Sequence, residues 1–422
     1  MAEGYLALGG LTTGVYNTGI GTYSLLSITD GSLCTGIGAG ALFSNSAGSN
    51  TATGAGALFS NTTGPNNTAH GTFALFSNAE GGNNTAIGTN ALLSNTIGNF
   101  NTAIGGGALV SNTDGGANTA TGALALFSNI TGGANTAIGF AALQHNTVSN
   151  NTAIGFGALN NNTLGAFNTA VGSGALSDNI DGGVNDAFGL NALSSNTSGG
   201  FNTAFGSNAL LNNALGNANT AVGNSALQNS TGTDNVAVGA SAGVNLNTAD
   251  HVICIGNPGL DVNNSCYIGQ IFGSSVDFGT GTAVFIDSDG KLGTQLSSRR
   301  FKHDIKPMDK ASEAILALKP VTFHYKSDAK STPCFGLIAE EVAQVNPDLI
   351  VRDKKGDILS VRYDQVNVML LNEFLKEHGT VQELKKEIAT LTTTVKEQAA
   401  QIQKVSAQVE VRTLGPQVVK AP

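Results

Sequence analysis

From Asn17 onward the chain repeats itself. Asn, or a residue standing in for it, recurs at positions 17, 34, 50, 67, 84, 101, 118, 135, 151, 168, 185, 202, 219 and 235, at intervals of 17 residues and occasionally 16. A typical copy, opening at Asn84, reads NTAIGTNALLSNTIGNF. Two short apolar patches, such as Ala86-Ile87 and Ala91-Leu92-Leu93, flank a Gly, and Ser-Asn-Thr with a Gly-rich turn closes the unit. This matches strands of three or four residues joined by tight turns. A unit so short cannot bury its apolar face alone, so copies must stack. Stacking at the strand spacing of ~4.8 Å gives a parallel β-solenoid or β-roll about 65 Å long, with Leu and Ile piled into an internal ladder. Gly88, Gly105, Gly122 and Gly139 fit corners that need positive φ or close backbone approach. The opening Asn can bond its own backbone and stack on the Asn above.

Charge divides the chain in two. Residues 1–296 hold thirteen acidic residues against the single base Lys291, whereas residues 297–422 hold sixteen acids and nineteen bases. Charged residues total 12%, with 56 glycines, about half the charge of an ordinary soluble enzyme. A region of 290 residues without Lys or Arg cannot neutralise phosphates, which excludes sequence-independent nucleic-acid binding there and argues against anionic membrane surfaces. No apolar run nears the ~20 residues that span a bilayer, and MAEGYLALGG is unlike a secretory signal. Membrane insertion is therefore not expected. Cys34, Cys254, Cys266 and Cys334 lack the spacing of a disulfide framework or zinc site and read as small buried hydrophobes.

The repeat resembles the heads of trimeric autotransporter adhesins, left-handed parallel β-rolls, over about Asn17 to Gly243. It keeps NTAIG and the following Ala but is longer per turn. The row of Thr18, Thr51, Thr68, Thr85, Thr102, Thr119, Thr136, Thr152, Thr169, Thr203 and Thr220 is also what an ice-binding solenoid would display; beside a turn Asn it reads as structural. Calcium-binding rolls need an Asp in every unit, which these lack. Glycosidase carboxylates are not expected from Asp178, Asp181 and Asp186. A connector at 244–296 follows, and in it Asp287 and Asp289 read as a DxDG turn, because no further ligands follow at calcium-loop spacing. No metal or cofactor is expected.

From Ser297 the language changes. Ser297, Arg300 and Lys302, then Leu316 to Tyr325 (LALKPVTFHY), Gly336 to Val342 (GLIAEEV) and Ser360 to Leu371 occur in order. This set resembles the endosialidase-type intramolecular chaperone at the ends of phage tail fibres, tailspikes and neck appendages, and in myelin regulatory factors. The resemblance implies self-cleavage between Leu296 and Ser297, with Ser297 as nucleophile and Lys302 as base. Arg299 and Arg300 would favour the neutral amine. The family often has Asp after the Ser, where Ser298 stands here. A domain that folds and trimerises the fibre without cutting is the alternative. His303 and His324 read as surface or packing residues.

Leu384, Ile388, Leu391, Val395, Ile402, Val405 and Val409 form a heptad seam interrupted by Gln398, read as a coiled coil. The division expected is thus a mainly β shaft at 1–243, the connector at 244–296, a small α+β chaperone at 297–380, a coiled coil at 381–412 and a loose tail at 413–422. The expected protein is a homotrimeric tail fibre or surface fibre, assembled in the host cytoplasm and carried on a virion, that contacts a host glycan or protein receptor. A one-turnover serine autoprotease is its expected chemistry, and a bacterial cell-surface adhesin is the other reading.

Overall fold

The computed structural model describes residues 1–277, 281–413 and 415, and the tail expected from 413 lies almost wholly outside them. The chain forms two compact units, Met1–Ser275 and the residues from Val276 on. In the first, seventeen short strands, β1 (Ala2–Glu3) to β17 (Cys266–Ile268), pair in chain order as one parallel sheet. Each coil lays one three-residue strand on the next in register, Thr85 on Thr102, Ala86 on Ala103, Ile87 on Ile104. Sixteen strand steps correspond to about 75 Å of solenoid. Residues 253–255 and 266–268 still pair as β16 and β17, so the sheet runs past Gly243.

The alternation along each strand departs from expectation. Ala86, Ala103 and their equivalents point inward and are fully buried, while Ile87, Ile104 and Ile154 point outward with 38% of their surface exposed. The internal ladder is Leu without Ile: Leu25, Leu42, Leu58 and on to Leu227, flanked by two columns of Ala. The second apolar patch is no strand. Leu92, Leu109 and Leu126 have φ near +52 to +53, a left-handed state costing an L-residue roughly 1–2 kcal/mol. Full burial of the side chain, about 1.5–3 kcal/mol, offsets it. The backbone of the turn is paired between coils, Leu92 N donating to Ala108 O at 2.9 Å, so no polar group is lost by forgoing a second sheet.

Polar columns line the rest of the interior. The opening Asn bonds chiefly across coils: Asn84 Oδ1 accepts from the backbone N of Asn101 in the next coil at 2.9 Å, and its Nδ2 donates to Gly98 O at 2.8 Å, while Asn67 Nδ2 also reaches Gly64 O just before it at 3.2 Å. The Asn of Ser-Asn-Thr, which reads as turn punctuation, is a second buried column. Asn78, Asn95 and Asn112 each donate Nδ2 to the Oδ1 one coil earlier, at 2.6, 2.7 and 2.8 Å. Three copies are one residue short, after Thr35, Thr136 and Thr220. There the turn between the columns loses a residue and the columns touch, as where Asn50 Nδ2 meets Asn45 Oδ1 at 3.0 Å.

One break in the second column carries a prediction. Ser230 stands where the next Asn would donate to Asn213, and Asn213 Oδ1 is the buried side-chain polar atom without a hydrogen-bond partner among the described residues. Leaving such an atom unpaired costs about 1–3 kcal/mol. Asn45 and Asn146 occupy the same place in the other short copies, so the longer side chain fits. Ser230→Asn is expected to stabilise the solenoid by about 1 kcal/mol, read as a higher midpoint in guanidinium; an unchanged or lower midpoint would contradict this account.

The column of turns ends on a carboxylate. In about half of the coils successive backbone N–H groups of the turn converge on one carbonyl of the next coil, as Thr96, Ile97 and Gly98 do on Thr113 O. At the last such turn, Asn247, Thr248 and Ala249 donate to Asp261 Oδ1 at 2.9, 3.0 and 2.8 Å. These bonds, that from Asn247 first, hold the Asp261 carboxyl below its ordinary range. Burial pushes the thiols of Cys34 and Cys254 up. Cys266, by contrast, is exposed, because it takes an outward place on β17, opposite Ile253.

The second unit opens with an antiparallel hairpin, β18 (Val284–Ile286) and β19 (Leu292–Thr294). Two more hairpins follow, β20 (Val321–Phe323) with β21 (Cys334–Gly336) and β22 (Ile350–Arg352) with β23 (Ile358–Val361). Helix α1 is Ala339–Val345 and α2 is Tyr363–Thr413. LALKPVTFHY is only partly strand: Leu316 and Ala317 close a 3-10 helix (Asp309–Ala317), and pairing begins after Pro320, which has no N–H to donate. α2 absorbs both the helix expected after Ser360 and the heptad segment, and its 51 residues extend about 75 Å. Leu384, Ile388, Leu391, Val395, Ile402, Val405 and Val409 are all at least half exposed along it.

Candidate functional site

The segment after β19 brings Ser297 and Lys302 together. A single 3-10 turn at Arg299–Phe301, closed by Phe301 N to Ser298 O at 3.0 Å and Lys302 N to Arg299 O at 3.1 Å, folds the chain back on itself. The Lys302 Nζ then donates to Ser297 Oγ at 3.1 Å. Ser298 has an extended backbone and makes no side-chain capping bond to the turn. Arg300 lies over the ring of Phe301, 4.6 Å from its centroid; Arg299 is exposed on the same turn. Leu296, whose carbonyl precedes Ser297, is 56% exposed. His303 pairs with its neighbour Asp304 at 2.8 Å and His324 is exposed; neither lines the dyad's cavity.

Ser297 and Lys302 open on a cavity of about 530 Å³, whose wall includes Leu296, Asp348, Asp364 and Met369. The two carboxylates escaped the sequence reading, since they lie about fifty and seventy residues downstream and no local motif links them to Ser297. A part-buried polar cluster around the buried Ser312 pins the 3-10 helix to α2. Ser312 Oγ accepts from Asn372 Nδ2 at 2.7 Å and donates to Glu373, which pairs with Lys376 at 2.7 Å. The Lys376 ammonium, then Ser312, hold the Glu373 carboxyl below its usual range. Tyr363 fixes the start of α2 through its hydroxyl, which accepts from Leu337 N at 2.9 Å.

Other candidates resolve differently. Asp287 Oδ1 accepts from the N–H of Asp289 and of Lys291, each at 3.0 Å, so it is engaged in closing its turn. Asp181 lies in its Gly-rich turn, Asp178 directly precedes the buried Asn179, and Asp186 opens β12 on the outer face. The Thr row exists as expected, in register on the outer face of the sheet.

The chain thus joins a parallel β-solenoid to a separate small α+β unit. A family model described as chaperone of endosialidase matches residues 297–351, beginning at Ser297 itself. No curated protein and no solved structure matches the chain.

Proposed function

We propose that the chain is one subunit of a homotrimeric fibre of the phage tail-fibre kind, structural and receptor-contacting, whose C-terminal chaperone aligns three chains and is then released by cutting itself free before Ser297. The observation that carries this reading is the Lys302–Ser297 hydrogen bond of 3.1 Å at the first residue of the family match. A neutral Lys302 amine takes the Ser297 hydroxyl proton as Oγ attacks the Leu296 carbonyl carbon. The C–N bond breaks, the proton passes to the departing amine, and water hydrolyses the resulting ester to a Leu296 carboxylate and free Ser297. One turnover ends the chemistry, because the substrate is the chain itself.

Two exposed apolar faces support assembly of several copies. One is the outward row of Ile87, Ile104, Ile138 and Ile154 on the sheet, the other the exposed seam of α2. Likeness of the repeat to trimeric autotransporter heads favours three chains and a place on a virion or a cell surface. Parallel coils nucleate slowly, because distant pairings cost loop entropy before contacts form. Three chains tied at one end start in register at high effective concentration, and removing the tie leaves a kinetically trapped product. Light scattering of the purified full chain should report three copies; a stable monomer would exclude this assembly.

A further inference from the structure

The geometry points to the hairpin β18–β19 as the element that presents the Leu296–Ser297 bond to the dyad, anchored by an ion pair between Asp289 and Lys354. This rests on the reading of Ser297 and Lys302 as the cutting pair, and adds positioning residues on both sides of the cut. Asp289 sits at the tip of the hairpin that ends at Thr294, two residues before Leu296. Lys354 sits at the tip of the β22–β23 hairpin, in a turn closed by Asp353 N to Asp357 O at 2.9 Å. Their charged atoms are 3.0 Å apart. Below the tips the two hairpins line one cavity of about 490 Å³, with Phe285 and Gln295 on one side and Val351 and Arg362 on the other. Gln295 also lines the cavity holding Ser297 and Lys302.

The scissile segment is therefore held from both directions: upstream by the docked hairpin, downstream by the turn that carries Lys302. Attack requires the carbonyl carbon within about 3–3.5 Å of the hydroxyl, so a hairpin that swings freely lowers the fraction of chains poised to react. Before the cut Asp289 and Lys354 belong to one chain. Afterwards they belong to two, and an ion pair exposed to solvent is weak enough to let the products part.

The test follows cutting of the full chain after pulse-labelled cell-free synthesis. Asp289→Lys and Lys354→Asp are each expected to cut about fivefold more slowly, the scale of one exposed ion pair. The double charge swap should return the rate to near wild type, a rescue that a general loss of structure would not give. Lys355→Asp, one residue along the same turn, should cut at the wild-type rate. Single variants that cut normally, a double swap no faster than the singles, or a Lys355→Asp chain equally slowed would each overturn the anchor while leaving the cutting pair standing. A wild-type chain that never cuts would overturn both.

Discussion

Ser297→Ala is expected to leave one intact chain on a denaturing gel, where the wild-type protein should give fragments of residues 1–296 and 297–422. The reason is chemical: Ala has no hydroxyl to attack the Leu296 carbonyl, and among the side chains at this turn only Ser297 is bonded to the lysine. Loss of the nucleophile in serine hydrolases lowers the rate by about a millionfold, so cutting should vanish from view. Lys302 separates chemistry from charge. Lys302→Arg keeps a cation beside Ser297 but offers a guanidinium that does not deprotonate in proteins, and it too should give the intact chain. Ser297→Cys supplies another nucleophile and should retain slow cutting at the same bond, so that sequencing of the small fragment starts at the substituted cysteine. Cutting that survives Ser297→Ala would end the dyad assignment, and wild-type cutting by Lys302→Arg would reduce the lysine to an electrostatic support.

Gly122→Ala is expected to destabilise the solenoid by roughly 3 kcal/mol or more, read as a lowered guanidinium midpoint and early proteolysis within the coils. Gly122 has φ +136, and a Cβ there would lie 2.3 Å from Gly139 O and 2.6 Å from Gly139 C. Both atoms belong to backbone that is itself stacked on Gly155, so relief would require separating coils and breaking the sheet pairing of β8 with β9. Gly157→Ala is the control: its φ of +60 is one an L-residue adopts, and nothing lies within 4 Å of the new atom. That change should cost about 1 kcal/mol. Equal effects from the two would show that the close-stacked glycine column is not what limits the coil.

Much of the solenoid is readable in the chain because stacking copies a local rule many times. The period, the strand at Asn-Thr-Ala and the corner glycines each recur often enough to stand out. Legibility stops at Gly243 for a physical reason: Gly243 replaces the ladder Leu and Val252 replaces the ladder Asn, so the word disappears while backbone pairing continues through β16 and β17. Hydrogen bonds of the sheet do not depend on side chains. At the candidate site, the five-residue step from Ser297 to Lys302 is legible, since a short turn brings such residues together. The places of Asp348, Asp364, Asp289 and Lys354 are not, because each is reached through a separate hairpin or helix.

By itself the sequence determined the repeat length, the side chains available to each column, and the abrupt change of chemistry at Ser297, because these are properties of order and composition. Only the tertiary structure decided which way each side chain faces. A strand of three residues is too short for its alternation to reveal the buried side, and a hydropathy pattern carries no record of the sign of φ. Thus Ile turned outward, Leu entered the core on left-handed backbone, and the second Asn became a buried column once neighbouring coils supplied the hydrogen bonds that make those positions tolerable.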